Sequence, residues 1–378
     1  MRIAVSAETD ANEARVAATP ETVKKLVGLG AEVAVQAGAG QASGIVDADF
    51  EKAGAKITPD AAATVAGADV VLAVRRPAPS ALAGVNANAA VLAIMDPYGQ
   101  HEALNALAQT QVQAFAMELM PRITRAQVMD VLSSQANLAG YRAVLDAAAE
   151  YGRAIPMMMT AAGTVPAAKI FIMGVGVAGL QAIATARRLG GIVTATDVRP
   201  ATKEQVESLG AKFLAVEDEE FKQAQTAGGY AKEMSAEYQA KQAALTASHI
   251  AKQDIVVTTA LIPGRPAPRL ISAEMVASMR PGSVIVDLAV ERGGNCELSR
   301  PGEIVVTDNH VKIVGHLNVA GRLAATASQL YAKNLLAFLE TLIDKEAKSL
   351  RIDGEDELVK ATRLTQGGAV VHPNFAAA

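Results

Sequence analysis

The strongest constraint on the fold is a rhythm that occurs twice along the chain. From Arg2, short apolar runs of strand length alternate with helix-length segments: "RIAV", "PETVKKLVGLG", "AEVAVQ", "DADFEKAG", "DAAATVAGA", "DVVLAV", "AAVLAIM", "HEALNALAQ" and "VQAFAM". The rhythm restarts after Pro166 with "AKIFIM", "VAGLQAIATARRLG", "GIVTATD", "TKEQVESLG" and "AKFLAV". Strands alternating with helices predict parallel sheets with helices on their faces. The expected class is α/β, with two Rossmann-like doubly wound domains. A chain of 378 residues, 51% of them hydrophobic, is long enough to give each domain its own core.

Two long helical patterns bracket the second unit, one from about Thr124 to Tyr151 and one from Gly321 to Asp344. They predict that the chain leaves the first domain by one helix and returns to it by the other. The expected division is 1–135 with 322–378, and 136–321, with the cofactor cleft between the two. In the first pattern, Gln127, Asp130, Ser134, Asn137 and Tyr141 recur at spacings of three and four, which predicts a polar stripe on one helix face. The stripe has a plain explanation, a solvated face with Thr124-x-x-Gln127 as a capping box. It has a functional one as well, a face that offers amide, carboxylate and hydroxyl groups to a ring carboxamide.

The segment from Glu217 to Gln253 departs from the rhythm. Gly228 and Gly229 before Tyr230 fit the hinge and tip of a mobile lid, and equally an ordinary surface excursion. The C-terminal "GGAVVHPNFAAA" fits a tail packed on the first domain or a frayed end.

Several function classes are disfavoured. The net charge is −4, and no Lys/Arg cluster is interleaved with aromatics, so nucleic acid is not an expected partner. Cys296 is the only cysteine, which excludes an internal disulfide framework and a thiolate metal cage. The histidines, His101, His249, His310, His316 and His372, include no pair at the spacing of a helical zinc site, and no metal is expected. No secretory apolar region opens the chain, because Glu8, Asp10 and Glu13 follow closely on Arg2. The nearest approach to a membrane span, Ile170 to Ala186, is short and contains Gln181 and three glycines. A soluble chain is expected.

That same stretch carries the clearest chemical signal. Gly174-x-Gly176-x-x-Gly179 follows an apolar strand and opens a helix, with Val175 and Val177 between the glycines. About twenty residues on, "GIVTATD" ends in Asp197, where an adenosine ribose is expected. Gly174 permits the tight turn, Gly176 lets a pyrophosphate approach the backbone, and Gly179 lets the helix pack closely on the sheet. The helix N-terminus then favours the anion. A similar string at Gly38, "GAGQAS", lacks this context. Asp197 favours NAD, whereas Arg199, two residues on past Val198, is of the type that accommodates NADP. Leu261 and the stretch from Asp287 to Glu291, at the ends of later strands, should line the crevice.

The segments "MELMPRITRAQVMDVLSSQANLAGYRAV", "MTAAGTVPAAKIFIMGVGVAGLQAIATARRLG", "TDVRPATKEQVESLGAKF", "AGGYAKEM", "VTTALIPGRPAP" and "VDLAVERGGNCELSRPG" together resemble the NAD(H)-binding domain I of the proton-translocating nicotinamide nucleotide transhydrogenases, relatives of alanine dehydrogenase. The resemblance runs over nearly the whole chain. It implies that Arg122, Gln127, Asp130 and Ser133 surround the nicotinamide and its ribose, in a stretch that includes Ile123, Thr124 and Arg125, with Leu132 beside the cofactor. It implies that Tyr230 is the tip of a mobile loop and that Gly229, Gln242 and Leu261 are further cofactor contacts. It also implies NAD(H) on this chain and NADP(H) on a partner domain. The chain would be a homodimer without a membrane span of its own, cytoplasmic and peripheral, docked on the membrane-spanning transhydrogenase subunits of the inner (plasma) membrane.

Transhydrogenation passes a hydride between two nicotinamide C4 atoms and needs no general acid or base at the reacting carbon; its demand is positioning and exclusion of water. Amino-acid oxidation must also move substrate protons. The resemblance implies that alanine dehydrogenases use a lysine and a histidine in the first domain and an aspartate in the second. Here Arg15 is kept, Arg75 stands for the lysine, "AIMDPYGQ" lacks the histidine, and Glu291 replaces the aspartate. An arginine does not deprotonate usefully. The expected function is the NAD(H) subunit of a transhydrogenase; the alternatives are a stand-alone alanine-dehydrogenase-like enzyme and an NAD-binding sensor without chemistry.

Overall fold

The computed structural model describes residues 1–223 and 234–376. The expected lid residues Gly228, Gly229 and Tyr230 lie outside the described residues. Two compact units are present, Met1–Gln135 with Ala320–Ala378, and Ala136–Val319.

In the first unit the chain runs β1 (Arg2–Val5), α1 (Pro20–Gly28), β2 (Glu32–Gln36), α2 (Asp47–Lys52), β3 (Lys56–Thr58), α3 (Ala61–Val65), β4 (Val70–Arg75), β5 (Ala90–Ile94), α4 (His101–Ala108) and β6 (Gln113–Ala116). The strands lie in the order β3-β2-β1-β4-β5-β6, every pair parallel. Helices cover both faces of such a sheet, so its central strands are apolar throughout rather than alternating. Ile3, Ala4 and Val5 of β1 and Val70 to Leu72 of β4 are all buried. Local chemistry sets the helix starts: the Thr19 side chain accepts from the Thr22 N–H, and Pro20 follows in the first helical position.

The next helix differs from its expected form. α5 spans Val131–Tyr151, preceded by a separate 3₁₀ turn over Thr124–Met129, and Asp130 between them is non-helical (φ −75°, ψ 93°). The cause is Asp130, whose carboxylate accepts from the Ser133 N–H at 2.9 Å and the Ser133 hydroxyl at 2.5 Å. A short acidic side chain that bonds the backbone three residues on caps a helix and ends whatever precedes it. The continuous stripe is therefore broken, since Gln127 and Asp130 precede α5. Thr124 forms no capping box, because the turn begins at Ile123 without a side-chain cap. The side opposite the stripe is not uniformly apolar packing either: Val131 is buried, while Val128 and Leu132 are exposed.

A two-stranded antiparallel hairpin follows, β7 (Met158–Thr160) and β8 (Gly163–Val165), with Met157, Met158 and Met159 all exposed. The sequence pattern predicts no element here.

The second unit continues with β9 (Lys169–Met173), α6 (Val177–Arg188), β10 (Ile192–Thr196), α7 (Thr202–Ser208), β11 (Lys212–Phe213), α8 (Glu219–Lys222), α9 (Ala236–Ile250), β12 (Ile255–Thr258), α10 (Ala273–Ala277), β13 (Val284–Asp287), β14 (Ile304–Val306) and β15 (Lys312–Val314). Its sheet has the order β11-β10-β9-β12-β13-β15-β14, with only β14 antiparallel to its neighbour. Strand order reverses between β9 and β12 here, and between β1 and β4 in the first unit. Open α/β sheets bind ligands beyond the carboxyl ends of strands at such a reversal.

The chain returns through a 3₁₀ turn at Val319–Leu323 into α11 (Ala324–Thr341) and α12 (Glu357–Thr362). The tail is packed: Phe375 is buried in the first unit's core, edge-on to Tyr98 at 5.1 Å. No helix among the described residues is long and apolar enough to cross a membrane.

Candidate nucleotide-binding site

The glycine loop lies where β9 passes into α6. Gly174 has φ +100°, a conformation open to glycine at little cost, and an added Cβ would meet the Thr259 hydroxyl at 2.6 Å. A Cβ on Gly179 would overlap the Gly174 carbonyl oxygen. Gly176 is different: a Cβ there meets nothing within 4 Å. Gly174 and Gly179 are thus fixed by the protein's own packing, while the space over Gly176 is open beside the first N–H groups of α6. That is the shape and polarity a pyrophosphate requires.

Around this loop the structure gathers most of the second-unit residues singled out in the sequence. Asp197, just beyond β10, accepts from the Val175 N–H at 2.7 Å, and Arg199 lies across its carboxylate. The Gln242 amide, on α9, accepts from the Val216 N–H and donates to the Thr196 hydroxyl, which ties the end of β10 to α9. Val177, Val198 and Leu261 are exposed, as is Ile262. These apolar side chains stand bare around a polar loop, as expected for the walls of a nucleotide pocket.

Three residues that support the loop are not evident from the sequence pattern. The Thr259 hydroxyl donates to the Gly174 carbonyl at 3.0 Å. Asn295, fully buried, donates to the Ala260 and Pro268 carbonyls and accepts from the Ala260 N–H, so it fixes the segment after β12 from which Leu261 projects. Gly140, inside α5, leaves no room for a Cβ, which would overlap the Ala178 carbonyl oxygen. It brings the α5 backbone onto the first turn of α6. The available signal was a glycine in a helix interior, which costs about 1 kcal/mol relative to alanine and needs a packing reason.

The first-unit residues are less gathered. Arg122, Thr124 and Gln127 are exposed, and Ile123 packs against the core. Arg125 pairs with Asp356 at 2.7 Å and with Glu357 at 3.1 Å, at the N-terminus of α12. Asp130 and Ser133 are joined by the cap described above, and Leu132 beside them is exposed.

At the carboxyl ends of β1 and β4 lies a second charged cluster. Arg15 reaches Glu13 through Nε and Nη2, both at 2.6 Å, and Gln135 through Nη1 at 2.8 Å. The Arg75 Nε approaches the same Glu13 carboxylate at 2.7 Å. Burial opposes ionisation of Glu13, but the two guanidiniums outweigh it and hold its carboxyl below the usual range. Glu8, which accepts from the Val74 and Arg75 N–H groups, is pushed up to about 7 by burial. Glu291, in the second unit, is exposed and accepts weakly from the Asn318 N–H at 3.4 Å. Among the described residues no group of His, Cys, Asp and Glu is arranged to hold a metal.

The sequence matches the family description "Alanine dehydrogenase/PNT, N-terminal domain" over residues 4–139 and "Alanine dehydrogenase/PNT, C-terminal domain" over residues 143–373. It is 57% identical to an NAD(P) transhydrogenase alpha subunit of Rhodospirillum rubrum, over 99% of this chain and 98% of that protein. The crystal structure of transhydrogenase from Sinorhizobium meliloti superposes with a TM-score of 0.89 at 63% identity, covering 98% of this chain and all of that one (100%). An L-alanine dehydrogenase superposes with a TM-score of 0.82 at 25% identity, covering 99% and 98%. The chain belongs to the alanine dehydrogenase/PNT family and, within it, to the NAD(P) transhydrogenase alpha subunits.

Proposed function

We propose that this chain binds NAD(H) and exchanges hydride with NADP(H) held on a partner domain, as the NAD(H) subunit of a proton-translocating, Re/Si-specific transhydrogenase active only with its partner chains. The open space over Gly176, ringed by Val175, Asp197 and the start of α6, fits the pyrophosphate and adenosine ribose of a dinucleotide. NADP(H) and the proton path belong to the other chains. When bound, the dihydronicotinamide supplies the hydride. This chain's residues bind, orient and exclude water: the loop residues Gly174 to Gly179 hold phosphates, Asp197 the adenosine ribose, and Val198, Gln242 and Leu261 the adenosine surroundings. Arg122, Gln127, Asp130 and Ser133 serve the nicotinamide and its ribose, with Leu132 beside them. Gly229 and Tyr230 complete the contacts.

The observation that favours transhydrogenation over amino-acid oxidation is the pairing of Arg15 with Glu13. An enzyme that oxidises alanine needs a cation for the substrate carboxylate and a base for its protons. Here the cation is already paired inside the protein, and Arg75 is no base. The exposed methionines of the β7–β8 hairpin, an apolar projection without cover within the unit, fit a homodimer contact. Peripheral attachment to the cytoplasmic face of a membrane complex completes the proposal.

The test is to mix the purified chain with an isolated NADP(H)-binding partner domain and follow hydride exchange between the two nucleotides. Exchange that needs both proteins supports the proposal. Oxidation of alanine with NAD by the chain alone would overturn it in favour of a dehydrogenase, and NAD binding with no exchange would leave a sensor.

A further inference from the structure

The Asp197 carboxylate has no acceptor position to spare. Oδ1 accepts from the Arg199 N–H and from Arg199 Nε, both at 2.9 Å. Oδ2 accepts from the Val175 N–H at 2.7 Å and from Arg199 Nη2 at 2.9 Å. A carboxylate offers about four lone-pair sites, and all of them face donors here. Two of those donors are main-chain groups fixed by the glycine loop and the turn after β10. The other two belong to one side chain. Arg199 is also tied to the loop through Nη2, which donates to the Val175 carbonyl at 3.1 Å. Its side chain is 31% exposed and that of Asp197 only 7%, so the guanidinium is at the solvent edge with the carboxylate behind it.

Ribose hydroxyls that seek Asp197 must donate to an oxygen already occupied, and the only donors that can leave are those of Arg199. We propose that Arg199 is a removable cap on Asp197 and that this cap, rather than the aspartate alone, sets the choice between NAD(H) and NADP(H) on this chain. The inference rests on the assignment of Asp197 to the adenosine ribose. While the cap is closed, the carboxylate charge is neutralised, and a 2′-phosphate meets a cation. When it opens, the 2′-hydroxyl gains the carboxylate. NADH therefore binds against the loss of a charge-assisted fork, and rejection of NADPH is weaker than a bare aspartate would give.

Fluorescence titration of the full chain with NADH and with NADPH tests the cap. Arg199→Ala should bind NADH at least as tightly as the parent chain and NADPH about tenfold more weakly, so that the ratio of dissociation constants widens about tenfold or more. Asp197→Asn should act in the opposite sense: Arg199 is left without its anion, NADPH tightens relative to NADH, and the further change Arg199→Ala removes that gain. An unchanged ratio in Arg199→Ala, or an equal loss of both nucleotides, would overturn the cap. Arg199→Gln retains a donor for the Val175 carbonyl without the charge, and should widen the ratio in the same direction. If neither substituted chain gives a cooperative melting curve, Arg199 is a structural tie and the cap is likewise overturned. Failure of the underlying assignment looks different: the parent chain would then bind neither nucleotide, or Asp197→Asn would leave both affinities unchanged.

Discussion

Arg15 grips Glu13 end-on, with Nε and Nη2 each 2.6 Å from one of the two carboxylate oxygens, and the Glu13 side chain is 0% exposed. Arg75 adds a third contact from the end of β4. On its other side Arg15 is held by Gln135, whose amide donates to the Ala327 carbonyl on α11, and its guanidinium lies over the Tyr331 ring at 5.9 Å. A buried ion pair adds little net stability, but loss of one partner leaves an uncompensated charge.

Glu13→Ala should therefore destabilise the chain by about 3–5 kcal/mol, measured by urea unfolding at neutral pH. Glu13→Ala combined with Arg15→Met should recover a large part of that loss, because the stranded cation is then gone. If the single substitution costs less than about 1 kcal/mol, solvent reaches Arg15 and the cluster is not the sealed pair described here.

Glu8 gives a pH dependence of opposite sign to that of a paired carboxylate. Burial raises its folded-state value from 4.5 to about 7, so between these limits the folded chain binds more protons than the unfolded one. Stability should then fall as pH rises from about 4.5 to 7, by up to about 3 kcal/mol if the full shift is expressed and less where solvent reaches the group. Glu8→Gln keeps an acceptor for the Val74 N–H and removes the titration. Its unfolding free energy should be flatter than the parent's across this interval, and parallel curves would show that Glu8 ionises normally.

The α/β class was legible because buried parallel strands are continuous apolar runs, and "RIAV" and "DVVLAV" carry that signal locally. The glycine loop was legible for the same reason: turn, strand and Asp197 lie within some twenty residues. What escaped depends on partners distant in sequence or on competition within a few residues. Glu13 and Arg15 are sequence neighbours, but Arg75 and Gln135, which complete the cluster, are 62 and 120 residues away from their partners in it. Helical periodicity runs through Val128, Val131 and Leu132 without a visible stop, and only the side chain of Asp130, which takes up the Ser133 N–H, divides it. The β7–β8 hairpin is short and exposed on both faces, so it shows no alternation to detect.

Gly176 and Gly179 should separate binding from folding. A Cβ on Gly176 meets nothing, and its φ of −80° suits any residue, so Gly176→Ala should melt within a few degrees of the parent while NADH affinity drops about tenfold or more. Gly179→Ala collides with the Gly174 carbonyl and should lower the melting temperature before any nucleotide is added. Undiminished NADH affinity in Gly176→Ala would remove the pyrophosphate from this loop.

The broken helix gives Gln127 and Asp130 separate roles. Asp130 caps α5, so Asp130→Ala should cost the ~0.5–2 kcal/mol of a lost cap, whatever else it does. Gln127 is exposed and belongs to no capping box, so nothing in the fold depends on its amide. Gln127→Ala should leave the melting temperature unchanged. If the side chain positions the nicotinamide, the same substitution should slow hydride exchange with the partner domain while NADH affinity stays nearly intact, because most binding comes from the pyrophosphate and adenosine. A ring displaced by about 1 Å can cost on the order of a hundredfold in rate. Stopped-flow exchange, NADH titration and a melting curve on one mutant decide the matter. An unchanged rate would remove Gln127 from the nicotinamide site, and a stability loss without a rate change would mean that it supports the turn before Asp130.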